Sequence, residues 1–190
     1  IYMSALINMQ NDNSTKFLDL IVRKEMSTMK LTPHLRSLAM FGVLNHEKNA
    51  WRFGSAWRMD DAFPIFLNTK EDLEVRATAL YMVLNYGSVK DVLRLYWFMN
   101  SESNQHFQRM FYTALDSFSR STCVCHTEKA KIIQNLAKYM KKPKINIVVD
   151  SFLKVFDYFD SVKEYGSLYN TAVFGDINID FFQTAHFKYT

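Results

Sequence analysis

PIFLNTKEDLEVRATALYMVLNYGSVKDVLRLYWFMNSESNQHFQRMFYTALDSFSRST, residues 64–122, is the stretch that decides the fold. It reads as three short amphipathic helices joined by two tight turns. Glu71 to Tyr86 carries Leu73, Ala77, Leu80, Tyr81 and Leu84 at helical spacing, with Glu74, Arg76 and Asn85 off that stripe. Gly87 stands where a left-handed residue would stop the helix. Ser88 offers an N-cap to the next helix, and Asp91 sits near its positive end. Val92, Leu93, Leu95, Tyr96 and Phe98 make that helix apolar on more than one side, which predicts a helix sandwiched between neighbours. Ser103 starts the third, with Phe107, Met110, Phe111, Ala114, Leu115 and Phe118 on its buried face. Three helices in succession, with tight turns and no strand between them, are the layout of an α-solenoid or a stacked helical sheet.

Outward from this centre the helical texture continues. Tyr2 to Met9 reads as the tail of a helix. After the polar turn at residues 10–13, Ser14 caps a helix with Phe17, Leu20 and Ile21 in phase. Thr32-Pro33 is an N-cap followed by proline at the first helical position. That helix carries Leu35, Leu38, Ala39, Val43 and Leu44 and is expected to end near Asn45, with a turn over His46 to Asn49. Gly54 and Pro64 break up residues 50–68, leaving a helix from about Asp60 to Leu67. Thr127 caps a helix over Glu128 to Lys142, which Pro143 ends. Ile145, Ile147 and Val149 then alternate with polar residues. Ser151 to Phe159 reads as a last short helix. From Leu168 the pattern is strand, with a turn at Gly175-Asp176. The helix-to-strand boundary is expected between Tyr158 and Ser167, giving a helical domain over residues 1–160 and the start of a sheet over 161–190. Helix spacing suits a short helical-repeat unit, without a strict sequence repeat. Leu80, Leu84, Leu95, Phe111, Leu115 and Leu136 are expected in one core between two helix layers.

Composition fits an ordinary globular chain: 190 residues, 48% hydrophobic, 22% charged, with only 5 Gly and 3 Pro. Aromatics are abundant, with 16 Phe and 10 Tyr. Ile1 opens the chain without a basic, apolar leader, and Thr190 closes it inside an apparent strand, so it reads as a piece of something longer. No apolar run approaches the ~20 residues that span a bilayer. The net charge of +4 is mild. With no nucleic-acid motif present, it does not indicate a nucleic-acid binder.

The central stretch resembles the helical domain of the large lipid transfer proteins: vitellogenins, apolipophorins, apolipoprotein B and the large subunit of the microsomal triglyceride transfer protein. The resemblance runs over about residues 30–125. It rests on an E-x-R-A-x-A-like element at Glu74, Arg76, Ala77 and Ala79. A polar turn and the run Gln105 to Ser117 follow, of the form Q-[VF]-x-x-[FM]-x-x-[ST]-x-x-x-S. Vitellogenin is the most similar member, because the helices lead into a β segment. The resemblance implies a mainly α fold: a curved two-layer antiparallel helical solenoid, followed by the first strands of a sheet. It also implies a secreted structural layer of a lipid carrier in yolk or haemolymph, serving lipid transport and nutrient storage without catalysis. The lipid, phospholipid and neutral lipid, would belong to the whole particle, with no chemically bound cofactor. Its other partners would be further segments of the same precursor and a cell-surface lipoprotein receptor. Two other readings are an intracellular helical-repeat scaffold for protein partners and an enzyme whose active site lies outside this stretch.

No catalytic motif is present: no G-x-S-x-G, Walker loop or H-E-x-x-H. His34, His46, His106, His126 and His186 are scattered and read as surface or capping residues. Cys123, Cys125 and His126 form the one cluster with metal-ligand chemistry, since two thiolates and an imidazole suit zinc. Their spacing differs from the usual C-x₂₋₄-C. Buried thiols, or disulfides to cysteines elsewhere, are the other readings. Asn13-Ser14-Thr15 is a glycosylation sequon. Lys129, Lys131, Lys138, Lys141 and Lys142 form a basic run. It is either a solvated helix face or a docking face for carboxylates or anionic headgroups.

Overall fold

The computed structural model describes residues 2–9, 11–26, 31–49, 56–120, 127–139, 152–160, 165–176 and 179–189. The order is α1 (Tyr2–Met9), α2 (Asp12–Val22), α3 (Pro33–Asn49), α4 (Ala56–Leu67), α5 (Leu73–Tyr86), α6 (Val89–Met99), α7 (Gln105–Ser119) and α8 (Thr127–Ala137). Three strands follow: β1 (Phe152–Asp160), β2 (Tyr165–Asp176) and β3 (Ile179–Tyr189). The fold is mainly helical, as the sequence predicts. The chain divides into two units, Ile1–Gly87 and Ser88–Thr190.

In the first unit α1 packs on α2 and α3, α2 on α3, and both α3 and α4 on α5. Helix starts follow local chemistry. The N-cap of α2 is Asn11, not Ser14. Asn11 Oδ1 accepts from the Ser14 amide at 2.9 Å, and Ser14 Oγ accepts from the Asn11 amide at 3.2 Å. Ser14 is the third residue of this capping box, where it satisfies a second orphan amide. At the other end of α2, Lys24 takes φ 62°, and the Glu25 amide reaches the Leu20 carbonyl at 3.0 Å. This is the closing turn usually given to glycine. Thr32 caps α3 as expected, its Oγ1 accepting from the Leu35 amide at 3.2 Å. The helix continues through Asn49, because His46 to Asn49 contains neither glycine nor proline to stop it. α4 begins at Ala56, one turn ahead of the expected Asp60, and holds Pro64 in its interior.

Gly42 is fixed by packing. A Cβ there would lie 2.7 Å from Ile7 Cγ1 and 2.9 Å from Leu18 Cδ1, so a larger residue would have to push these side chains of α1 and α2 aside.

α5 is buried nearly all round. Besides Ala77, Leu80, Tyr81 and Leu84, the residues expected off its stripe, Glu74 and Arg76, are also buried. Gly87 ends it in an extended conformation, φ −66° and ψ 157°, not a left-handed one. The reason is the next residue: Ser88 must enter α6 as an extended N-cap, so the chain has no room for a left-handed turn.

A repeat emerges that the sequence alone conceals. α3 and α5 correspond at a 40-residue offset, the separation of His34 and Glu74, which stand 2.9 Å apart. Arg36 matches Arg76, Ala39 matches Ala79, and Val43 matches Val83. Phe41 matches Tyr81, and these two rings touch with centroids 5.5 Å apart. Equivalent positions of successive units therefore contact each other, as in solenoids of two-helix repeats of roughly this length.

In the second unit α7 buries Phe107, Met110, Phe111, Ala114, Leu115 and Phe118, as predicted, whereas α6 buries Val92, Leu95 and Met99 but leaves Leu93 exposed and Tyr96 and Phe98 half-buried. α6 starts at a Ser88–Asp91 capping box, while Asn104 and not Ser103 caps α7. α8 ends at Ala137, short of the expected Lys142, and buries Ala130 and Ile133; Leu136 is half-buried. Of the expected core, Leu80 and Leu84 are buried in the first unit, and Leu95, Phe111 and Leu115 in the second.

The strands form one antiparallel sheet in the order β1-β2-β3. Phe152 pairs with Val173 and Asp160 with Tyr165; Tyr169 pairs with Tyr189 and Asp176 with Ile179. β2 runs on through the expected Gly175-Asp176 turn, where the β2–β3 register slips instead. α7 packs on β1 and β2. The expected last helix over Ser151 to Phe159 is strand β1, so the change from helix to strand comes by Phe152 rather than between Tyr158 and Ser167. Phe152, Val155, Phe156 and Phe159 do fit a helical period. Yet a nine-residue run with four Phe or Tyr and a Val is also what a strand favours, and tertiary pairing decides. The alternation at Ile145 to Val149 lies outside the described residues.

Candidate functional site

The most concentrated polar chemistry in the first unit is a buried seam joining four helices. Arg36, on the first turn of α3, points its guanidinium at the end of α2. Its Nη2 donates to the Val22 carbonyl at 2.9 Å and its Nε at 3.3 Å, while Nη1 stands 2.8 Å from Glu71 Oε1. Lys24 Nζ reaches the other Glu71 oxygen at 3.0 Å. Burial pushes the Glu71 carboxyl up. The hydrogen bonds from Arg36 and Lys24, the Asp72 amide and the Arg36 charge outweigh it and leave the group below its usual 4.5. One repeat along, Arg76 Nε donates to the Phe66 carbonyl at 3.1 Å. The two arginines thus do one job at corresponding places. Each satisfies a last-turn carbonyl of the preceding helix and sets positive charge at its negative end. His34 and Glu74 bridge the two repeats. The element Glu74, Arg76, Ala77, Ala79 is therefore a packing device: two polar anchors, then two small residues that admit the neighbouring helices. The seam thus positions helices through buried hydrogen bonds and the Arg36–Glu71–Lys24 charge cluster.

The described lysines of the basic run, Lys129, Lys131 and Lys138, differ in burial. Lys129 stands on the buried stripe of α8, one turn before Ile133, and is half-buried. Burial pulls its ammonium down to about 8, partly offset by the Asp91 carboxylate of α6. Lys131, on α8, and Lys138, in the turn just past its end, are exposed. Lys141 and Lys142 lie outside the described residues, as do Cys123, Cys125 and His126. Among the described residues, no three His, Cys, Asp or Glu side chains gather as a metal site. Asn13 is exposed on the first turn of α2, where a glycan would meet solvent. His106, expected at the surface, is 1% exposed inside α7's packed face.

Sequence reasoning missed the outer face of α6. That helix is not sandwiched: Leu93 is 37% and Trp97 74% exposed. The signal was present, because Lys90 and Arg94 fall beside them at positions i, i+3, i+4 and i+7.

The sequence matches no protein-family profile and no curated protein. Among solved structures the chain is similar to lipovitellin, in a study of lipid–protein interactions in that protein. The TM-score is 0.78 over 98% of this chain, at 18% sequence identity. The fold is lipovitellin-like. At this identity the likeness concerns architecture, and this chain spans 20% of the lipovitellin chain. Among the described residues no helix is long and apolar enough to cross a membrane.

Proposed function

We propose that this chain is a helical layer of a secreted, vitellogenin-like lipid carrier, serving lipid transport and yolk storage without catalysis of its own. The observation that carries this reading is the likeness to lipovitellin over 98% of the chain, helices and strands together. The internal architecture supports it. α7 lies against β1 and β2, so one helix already backs the sheet. A sheet needs cover on its apolar surface, and in this reading lipid and strands from other segments of the precursor supply the rest. The polar seam suits a scaffold: it fixes helix spacing through paired, buried charges. Phospholipid and neutral lipid belong to the whole particle, in yolk or haemolymph, and neither nucleic acid nor a chemically bound cofactor takes part. A glycan on Asn13 and disulfides from Cys123 and Cys125 fit the secreted setting. A cell-surface lipoprotein receptor would find Lys131 and Lys138 as exposed point charges.

The test is extraction of the native assembly that contains this chain, followed by lipid mass spectrometry. Abundant phospholipid and neutral lipid support the carrier. A lipid-free assembly bound to protein partners favours an intracellular scaffold instead.

A further inference from the structure

We propose that the turn closing α2 is an acid-sensitive latch, which Glu71 holds shut through Lys24 and which opens ahead of the rest of the first unit. The proposal concerns the fold of this chain alone and does not rest on lipid carriage. Lys24 takes φ 62°, a region that glycine usually fills at a helix end. Among the described residues no other non-glycine residue has a positive φ. Two backbone hydrogen bonds close the turn: the Lys24 amide donates to the Ile21 carbonyl at 3.2 Å, and the Glu25 amide to the Leu20 carbonyl at 3.0 Å. Lysine has neither the freedom of glycine nor the short polar side chain of asparagine, so the surrounding structure must favour this conformation. The support comes from far along the chain. Lys24 Nζ stands 3.2 Å from Glu71 Oε1 and 3.0 Å from Oε2.

Glu71 also faces Arg36 of α3, with Nη1 at 2.8 Å, and accepts from the Asp72 amide at 3.1 Å. The other charges around it are engaged. His34 of α3 meets Glu74 of α5, the Asp72 carboxylate caps the Glu74 amide, and Asp19 of α2 holds Arg23. Lys70, just before Glu71, is exposed, and α1, which packs on α3, carries no charged side chain. Lys24 is 55% exposed and Glu71 9%. The cost of a left-handed lysine and the gain from an ion pair with one exposed member are of the same order, so the turn is poised. Loss of the Glu71 charge tips it open. Burial pushes this carboxyl up, but Arg36, Lys24 and the Asp72 amide outweigh burial and hold it below its usual 4.5. The latch therefore holds above that value and lets go as pH falls through the folded one. Arg36 confines the break. Its Nη2 donates to the Val22 carbonyl at 2.9 Å, a bond that needs no carboxylate, so α2 stays docked through Val22 while residues 23–25 come away.

The experiment is native-state hydrogen exchange of the full chain, read amide by amide from pH 7 to about pH 3.5 and corrected for intrinsic exchange. Amides in the middle of α5 are the reference. Protection of the Lys24 and Glu25 amides should fall about fivefold in acid while the reference holds. Glu71→Gln should show the acid level of protection already at pH 7, with no further response. Lys24→Met keeps the aliphatic stem and removes the charge, and should also be open at pH 7. Its side chain is half exposed, so this variant tests the latch even if Glu71→Gln unfolds. Lys24→Asn removes the charge too, but asparagine adopts the left-handed region readily, so this variant should stay closed at both pH values. Turn protection that tracks α5 in the wild type, or survives at pH 7 in Lys24→Met, overturns the proposal. So does an acid response that persists in Glu71→Gln.

Discussion

Replacing Arg36 by Met isolates the energetic worth of the polar seam. The Arg36 side chain is 5% exposed and its partner Glu71 9%. The variant keeps most of the aliphatic bulk but removes three interactions, two on the Val22 carbonyl and one on Glu71. Breaking a buried ion pair by deleting one partner costs about 3–5 kcal/mol. Glu71 would keep Lys24 and the Asp72 amide, which places the expected loss near the low end, about 3 kcal/mol. Arg23–Asp19 is the internal control: it is nearly as short, 3.0 Å against 2.8 Å, but its side chains are 39% and 29% exposed. Arg23→Met should therefore cost less than about 1 kcal/mol. The assay is urea unfolding followed by far-UV circular dichroism. Adding Glu71→Leu to Arg36→Met should recover part of the loss, because the orphaned carboxylate goes too. Glu71 also sets a sign for pH. Its folded pKa lies below 4.5, so its stabilisation is present above that value and fades as pH falls through the folded pKa. Arg36→Met should flatten that acid limb. A loss below about 1 kcal/mol for Arg36→Met, matching Arg23→Met, would refute the claim that the seam holds the helices together.

Three other outcomes follow from the structure. Lys129 has a folded pKa of about 8 against an ordinary 10.5, so the unfolded chain binds its proton more readily between those values and stability should rise with pH there; Lys129→Met should remove that rise in pH-dependent unfolding and stabilise the fold at neutral pH. Phe111 is 0% exposed in α7, and Phe111→Ala should cost about 3–5 kcal/mol in denaturant unfolding. Asn13 is exposed, so material from a secretory host should lose mass on deglycosylation, and Asn13→Gln should abolish the change without destabilising the fold.

Much of the helical fold was legible because helix starts are written in short-range chemistry. Thr32-Pro33 and Ser88 with Asp91 each satisfy orphan amides within one turn. The packed face of α7 was legible because Phe107 through Phe118 keeps one unbroken period. What escaped depends on partners distant in sequence. Asn11 and Ser14 are both good caps, and only the chain direction into α2 selects between them. Ser151 to Phe159 suits either period, and β2 decides it. The 40-residue correspondence of α3 and α5 was hidden because its matches, such as Arg36 with Arg76 and Ala39 with Ala79, are scattered singly, and their shared role, an arginine on the preceding helix's last carbonyls, shows only in the packed chain. At the candidate site, Lys129 could have been separated from Lys131 and Lys138 by counting its phase with Ile133. The exposure of Trp97 could likewise have been read from Lys90 and Arg94, which share its side of α6.

The carrier reading is tested most directly by the buoyant density of the native assembly in an equilibrium gradient, before and after delipidation. The account predicts that the chain bands at a density below that of lipid-free protein and moves to higher density once lipid is removed. Banding at the density of lipid-free protein in both conditions would contradict it.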